Sequence, residues 1–332
     1  MKFRAIATIS LSLLCGLGIG IGLQRYLTTS EQGNALLRRV GLSEYFQSPE
    51  AAIPTLDPIN PTVPLRIQGR LKLYVLMGQS NMVGKARIPE NLSPSANIYS
   101  FGNNYRWTIA TAPIDDATDQ VDVVSHDKFT GFGPAFIFAK TLVSQNSNQF
   151  IGLIPCARSG SSITEWQRNL SDETLYGSCL KRVRAASPMG TVAGILFFQG
   201  EADTINPQQF PNLQPDADAW AEKFALFAYN FRQDIGSPNT PFIYAQLGQP
   251  EDLEGLPNWA QVQQQQASIQ IPNGVMIETR DLPMDGIHFT PDSYQIIGQR
   301  FAEAINQLSP DTAPIADSNN PTGESPAPES AQ

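Results

Sequence analysis

Five short apolar runs, separated by longer helix-like segments, constrain the fold of this 332-residue chain more than any other feature. The runs are Leu71–Met77, Phe150–Pro155, Val192–Phe198, Pro241–Leu247 and Val275–Glu278. Each is nearly continuous in apolar residues, as expected for strands buried on both faces of a parallel sheet. Helical patterns occupy Gly133–Ser144, Leu175–Ala186, Asp218–Ile235, Ala260–Ile269 and Pro291–Leu308. This alternation predicts a three-layer α/β/α sandwich over residues 69–308.

The segments on either side of this domain differ from it in composition. Residues 1–27 begin with Lys2 and Arg4 and continue with an uncharged apolar run, which predicts a signal or a membrane anchor. We favour an uncleaved anchor over a cleaved signal. In both cases the domain is expected to be extracytoplasmic, because the basic start stays in the cytoplasm. We interpret residues 28–68 as a linker and residues 309–332 as a disordered tail.

Charge and histidine content exclude several classes of function. The formal net charge of −9 argues against a nucleic-acid partner, because phosphate backbones need a basic surface. The chain has only two histidines, His126 and His288, so a three-histidine zinc site is impossible. We expect no metal and no other cofactor. His126 is interpreted as an exposed loop residue, with substrate contact at the mouth of the site as the alternative.

The chain has three cysteines, and one of them, Cys15, lies in the apolar leader. Two buried free thiols are the favoured interpretation of Cys156 and Cys179. A disulfide between them is the alternative, because export would place the domain in an oxidising compartment.

A serine follows the first apolar run, in the sequence GQSNM at 78–82. Ligands of a parallel α/β sheet bind at the carboxyl ends of its strands, where Ser80 is expected. A serine at such a turn is either a helix cap or a nucleophile. Asp285 and His288 favour the nucleophile, because they follow the last strand at a spacing that lets the carboxylate hold one imidazole nitrogen. The other nitrogen is then free for the serine proton.

Two further strand ends carry groups that can stabilise an oxyanion. Gln199 follows the third apolar run, where its side-chain amide can point at such an oxygen. Gly160 follows the second run, where the absence of a side chain lets the backbone N–H come close to the same oxygen. These loops complete a constellation typical of a serine hydrolase.

Four motifs occur together along the chain: GQSNM at 78–82, PCARSGSSITEW at 155–166, FFQGEAD at 197–203 and DGIHFT at 285–290. In this combination and order the chain resembles the SGNH hydrolases, and within them the sialate O-acetylesterase-like branch that includes carbohydrate esterase family 6. The resemblance covers the whole of the predicted domain. It implies a parallel, flavodoxin-like sheet and metal-independent removal of acetyl groups from carbohydrates through an acyl-enzyme.

The resemblance also implies a catalytic triad. Ser80 would be the nucleophile and His288 its base, with Asp285 as the acid that orients the imidazole. Glu201 is a competitor or helper for the acidic role, because some relatives are thought to use this glutamate.

The implied oxyanion hole consists of the backbone amides of Ser80 and Gly160 and the side chain of Gln199. The family usually has two consecutive glycines where this chain has Ser159 and Gly160, so the loop is expected to differ in detail.

Four residues near these motifs are predicted to bind substrate: Gln79, Asn81, Arg158 and Trp166. An indole face can stack on a sugar ring, although Trp166 is equally well explained as a core residue. Residues 206–216 are predicted to form a surface loop that shapes substrate choice.

Two other functions are compatible with these residues. A general short-chain esterase or thioesterase of the same fold would prefer acyl chains longer than acetyl if it acted on lipids. A non-catalytic carbohydrate-binding relative would have no need of Ser80, Gln199 and His288 together. The expected substrate is an acetylated carbohydrate, and the sequence leaves its identity and the acetylated position open.

Overall fold

The computed structural model describes residues 62–308. Within them seven strands form one sheet: β1 (Leu71–Gly78), β2 (Ile98–Phe101), β3 (Trp107–Ile109), β4 (Ile151–Pro155), β5 (Gly190–Phe198), β6 (Phe242–Ala245) and β7 (Gly274–Ile277). A separate short hairpin consists of β8 (Met284–Asp285) and β9 (His288–Phe289). The α-helices are α1 (Ser80–Val83), α2 (Pro134–Gln145), α3 (Leu175–Ala186), α4 (Trp220–Asp234), α5 (Trp259–Ser268) and α6 (Pro291–Leu308).

Three predicted segments fall wholly or largely outside this range. The leader (1–27), the linker up to residue 61 and the tail (309–332) lie outside the described residues. Between residues 62 and 308, no helix combines the length and the apolar character needed to cross a membrane. The membrane anchor and the extracytoplasmic location therefore stay predictions.

The strand order of the main sheet is β3-β2-β4-β1-β5-β6-β7. Neighbouring strands pair in parallel, except for β2 and β3, which form an antiparallel hairpin at one edge. The five strands predicted from apolar runs are β4-β1-β5-β6-β7, which is the flavodoxin order 2-1-3-4-5 when they are numbered along the chain. The predicted α/β fold with a parallel, flavodoxin-like sheet is confirmed, and the edge hairpin is an addition to it.

Two adjacent phenylalanines of β5 show how both faces of the sheet are covered. Phe197 packs on Phe224 and Phe227 of α4, with ring centroids 5.3 Å apart in each pair. Phe198 faces the other side, where its ring centroid lies 6.5 Å from that of Phe301 in α6. Successive side chains of a strand point to opposite faces. Burying such a ring contributes about 1.5–3 kcal/mol, so β5 binds a helical layer on each side.

A disulfide joins Cys156 to Cys179, with Cα atoms 5.4 Å apart. It connects the residue after β4 to the middle of α3, and both residues are buried. The favoured expectation of two free thiols was therefore wrong, and the alternative is the arrangement found. The fold places the two residues within the Cα separation that a disulfide requires, which their sequence positions do not reveal.

Candidate active site

The chain turns sharply at the end of β1. Gly78 has a φ of +124°, and a Cβ atom there would lie 2.1 Å from the carbonyl oxygen of Phe198 on β5. Only glycine tolerates this backbone conformation and this close approach. Gln79 follows in an extended conformation, and Ser80 is the first residue of α1. Ser80 is thereby presented at the carboxyl end of the sheet, and its backbone N–H has no helical acceptor.

The Ser80 hydroxyl and the His288 imidazole face each other. Ser80 Oγ lies 3.0 Å from His288 Nε2, a distance at which the hydroxyl can donate its proton to a neutral ring. The two residues are 208 positions apart, and they meet because α1 packs against β9. Ser80 is buried and His288 is partly exposed. The two groups are therefore placed for proton transfer from the hydroxyl to the ring.

The surroundings of His288 keep its ring neutral. Burial lowers the pKa of His288 below its usual value, and the nearby Lys85 ammonium lowers it further. The carboxylates of Asp285 and Asp127 raise this pKa, but the net shift is downward. At neutral pH the ring is therefore in the form that accepts a proton.

Lys85 and Asp127 are absent from the residues predicted from sequence. Lys85 Nζ lies 2.9 Å from Asp127 Oδ1, and both side chains are largely buried. The two residues are 42 positions apart and belong to no recognisable motif. Only the folded structure brings this ion pair beside the imidazole.

We expect Lys85→Met to move the acid limb of the kcat/KM profile to higher pH, by about 0.5–1 unit. The substitution removes a positive charge that lowers the pKa of His288 and leaves the Asp127 carboxylate unpaired. The profile should be measured with p-nitrophenyl acetate between about pH 4.5 and 8.

Lys128→Met is the matched control, because Lys128 is exposed and is not among the charges that act on His288. An acid limb that stays in place, or moves to lower pH, in the Lys85 variant would contradict the role given to Lys85.

Asp285 lies directly opposite His288 in the β8–β9 hairpin. Opposite side chains of an antiparallel pair project from the same face, so the carboxylate lies beside the imidazole and its charge raises the pKa of His288. Within the described structure the two side chains form no hydrogen bond, and Asp285 is exposed to solvent. In this structure Asp285 acts on His288 through its charge, and its role as the acid that orients the imidazole stays a prediction.

Glu201 forms no hydrogen bond with His288 within the described residues. It is 2% exposed, and one carboxylate oxygen accepts a hydrogen bond from Asn81 Nδ2. Asn81 Nδ2 also donates to the carbonyl oxygen of Ile287 at 3.1 Å, so Glu201 acts on the hairpin through Asn81. Burial raises the pKa of Glu201 to about 7. Its other oxygen has no partner among the described residues.

Three side chains predicted to bind substrate point into the protein interior. Gln79 is 2% exposed, and its Oε1 accepts from two backbone N–H groups of the turn after β5. The amide of Asn81 is buried and hydrogen-bonded at both its nitrogen and its oxygen. Trp166 is buried, and its Nε1 donates to Ser161 Oγ. These three predictions are corrected: the side chains hold the loops of the site together.

Two of the three expected oxyanion donors are available. Among the described residues, no acceptor is paired with the backbone N–H of Ser80 or of Gly160. The turn that carries Gly160 is tied to the end of β1, because the Arg158 N–H and the Ser161 hydroxyl both donate to the Gly78 carbonyl. Gly160 has a φ of +73° and faces open space. Both donors therefore lie in turns that meet at the end of β1.

Gln199, the third expected donor, is engaged elsewhere. It is 1% exposed, and its Nε2 donates to the Ser161 carbonyl at 3.0 Å and to the Asp203 carboxylate. Its Oε1 accepts from the Trp220 indole at 2.9 Å. Both amide hydrogens are thus used, and the oxyanion role expected for Gln199 is corrected. Asp203, which sequence reasoning missed, also accepts from Ile163 N–H, and burial raises its pKa to about 6.

Two polar residues remain near the mouth of the site. The Arg158 side chain is 42% exposed and pairs with Glu165 at 2.9 Å, on the turn that carries Gly160. Its substrate-binding role stays a prediction. His126 is exposed on the loop between β3 and α2, as the favoured interpretation expected. Between residues 62 and 308, no group of three or more His, Cys, Asp or Glu residues is placed to hold a metal ion.

Comparison with known proteins gives a family match and related sequences. A family profile described as "Carbohydrate esterase, sialic acid-specific acetylesterase" matches residues 70–307. A probable carbohydrate esterase of Arabidopsis thaliana is 25% identical over 253 residues, which are 70% of this chain and 89% of that protein.

Two solved structures share the fold. The X-ray structure of the same Arabidopsis thaliana protein has a TM-score of 0.60 at 24% identity and covers 71% of this chain and 97% of its own. A carbohydrate acetylesterase from Xanthomonas citri has a TM-score of 0.54 at 20% identity and covers 72% of this chain and 57% of its own. At these identities the likeness concerns the fold alone.

Proposed function

This chain belongs to the sialic acid-specific acetylesterase family of carbohydrate esterases, and we propose that it removes acetyl groups from carbohydrates with Ser80 as nucleophile and His288 as base. Family membership makes it a carboxylic ester hydrolase with an acetylated carbohydrate as its class of substrate. The observation that carries the residue roles is the 3.0 Å contact between Ser80 Oγ and His288 Nε2, with a lowered pKa on the histidine.

In the proposed mechanism, His288 Nε2 takes the proton of Ser80 Oγ as the oxygen attacks the acetyl carbonyl carbon. The backbone N–H groups of Ser80 and Gly160 donate to the resulting oxyanion. The imidazolium, stabilised by the charge of Asp285, then protonates the sugar oxygen as the C–O bond breaks. His288 next takes a proton from a water molecule as that water attacks the carbonyl carbon of the acyl-serine. The imidazolium then returns this proton to Ser80 Oγ as the bond between Oγ and the acyl carbon breaks, and acetate leaves.

The disulfide supports a second proposal, which concerns the cellular location of the enzyme. A bond between Cys156 and Cys179 persists in an oxidising compartment, where the apolar segment before the domain would deliver it. We therefore place the enzyme outside the cytoplasm, where polymeric glycans are accessible to it.

Acetate release from a panel of substrates tests the proposed function. The panel contains acetylated xylan, acetylated pectin, O-acetylated sialic acid and O-acetylated peptidoglycan, together with p-nitrophenyl acetate and p-nitrophenyl octanoate. We expect release from at least one acetylated carbohydrate and a preference for acetate over octanoate. A preference for octanoate, with no carbohydrate deacetylated, would indicate the general esterase instead.

A further inference from the structure

A long segment without regular secondary structure connects β3 to α2. Such loops in compact domains usually serve a function. We call its residues 115–129 the rim loop. Its exposed hydrophobic side chains are Val121 (64% exposed), Phe129 (81%) and Val123 (87%).

One anchor of the rim loop lies in the protein interior. Arg182 of α3 is fully buried, and its guanidinium donates to the carboxylate of Asp122 and to Ser125 Oγ at 3.1 Å. A buried charge that loses its partner is strongly destabilising. Release of the rim loop would leave the Arg182 charge buried without these partners, so this contact holds the loop in place.

A second anchor connects the rim loop to the catalytic centre. Asp127 Oδ1 accepts from Lys85 Nζ at 2.9 Å, and its Oδ2 accepts from the backbone N–H of Ser159 at 3.0 Å. Ser159 directly precedes Gly160, the oxyanion donor. The backbone of Phe129 joins the same anchor, because its N–H donates to Asp127 Oδ1 at 3.3 Å and its carbonyl accepts from Lys85 Nζ.

Phe129 thus combines a fixed backbone with an exposed ring. Its polar backbone groups are bonded to the residues beside the oxyanion turn, while 81% of the residue is open to solvent. The ring is apolar surface left in water on a loop whose backbone is bonded to the residues beside the oxyanion turn, and a ligand that covers such surface gains free energy. Because the loop is already ordered, covering the ring costs little conformational entropy.

We propose that Phe129 is the stacking face of a subsite for the sugar next to the acetylated one. The inference rests on the proposed function and identifies the substrate as an oligomeric or polymeric glycan. A pyranose ring presents a face of C–H groups, and an aromatic ring matches that face in shape and polarity.

The negative charge of the rim loop and of the whole chain favours binding of a neutral glycan over an anionic one. The exposed charged side chains of the rim loop are Asp116, Asp119 and Lys128, which give it a negative balance. The whole chain also carries a formal net charge of −9. A polyanion such as pectin is repelled by this field, whereas a neutral polymer such as xylan is not.

The test compares Phe129→Ala with wild type on acetylated xylan and on p-nitrophenyl acetate. We expect kcat/KM on the polymer to fall about five- to tenfold, mainly through KM, because one aromatic contact is lost. On p-nitrophenyl acetate, which is too small to reach the subsite, kcat/KM should stay at the wild-type value. Phe129→Tyr keeps the ring and should restore the polymer activity. Leu226→Ala is the control for an exposed apolar residue elsewhere, on α4.

Three results would overturn the subsite while leaving the proposed function intact. They are unchanged polymer kinetics in Phe129→Ala, an equal loss on p-nitrophenyl acetate, and a faster wild-type reaction on acetylated pectin than on acetylated xylan. A wild-type enzyme that hydrolyses p-nitrophenyl acetate but none of the acetylated carbohydrates would overturn both the proposed function and this subsite.

Discussion

Ser80→Ala is expected to lower kcat for acetyl-ester hydrolysis by more than about a thousandfold, because removal of a triad nucleophile typically costs at least that much. The variant leaves no hydroxyl 3.0 Å from His288 Nε2, so neither the acyl-serine nor its hydrolysis can occur. The residual rate would come from a water molecule held near the remaining backbone donors. Measurement of kcat with p-nitrophenyl acetate and with the best carbohydrate substrate would give the ratio.

The same variant should fold normally. Alanine is compatible with the first position of α1, and the hydrogen bond it removes lies at a partly solvent-exposed site. Thermal unfolding followed by circular dichroism should therefore match wild type. Ser178→Ala is a suitable control, because the Ser178 hydroxyl lies in α3, away from the site, and has no hydrogen-bond partner among the described residues. If Ser80→Ala kept more than about a thousandth of wild-type kcat, Ser80 would not be the nucleophile.

The parallel strands could be predicted because burial on both faces requires apolar residues at consecutive positions. Seven of the eight residues of β1 are buried, and apart from the exposed Lys72 they form an apolar run. The edge hairpin of β2 and β3 has no such apolar run by which it could be recognised. β3 has only three residues, two of them exposed, so its sequence does not differ from that of a loop. The β8–β9 hairpin is shorter still, with two residues in each strand.

The predicted nucleophile and base meet because both lie at places that the fold class itself determines. Ser80 follows a central strand and His288 follows the last one, so the carboxyl edge of the sheet brings them together. The direction of an amide side chain is not determined in this way. Gln199 stands at the same edge, but its hydrogen bonds to Asp203 and Trp220 turn it inward. Such contacts depend on loop conformations that local sequence does not specify.

Substitutions of Asp285 and of Glu201 are expected to differ in how they change the pH dependence of the enzyme. Asp285 raises the pKa of His288, so Asp285→Asn should move the acid limb of kcat/KM to lower pH. Glu201 is not among the charges that act on His288, so Glu201→Gln should leave the limb in place. Burial raises the pKa of Glu201 from 4.5 to about 7, so the folded state holds this proton more tightly than the unfolded chain. Wild type therefore loses stability as pH rises from about 4.5 to about 7. Glu201→Gln should remove this part of the pH dependence of unfolding.

Asp285→Asn is expected to lower kcat about a hundredfold, which is less than the roughly 10⁴ lost when a buried, hydrogen-bonded triad aspartate is replaced. The free carboxylate is exposed, but it lies opposite His288 in the hairpin, and catalytic hydrogen bonds often tighten only in the substrate complex. Glu201→Gln should cost at least about tenfold less, because glutamine keeps an acceptor for Asn81 and Glu201 acts only on the hairpin backbone. Measuring kcat for both variants between about pH 5 and 9 compares them directly. If Glu201→Gln were the more damaging at every pH, the buried glutamate would be the acid that orients His288, and Asp285 would be a structural residue of the turn.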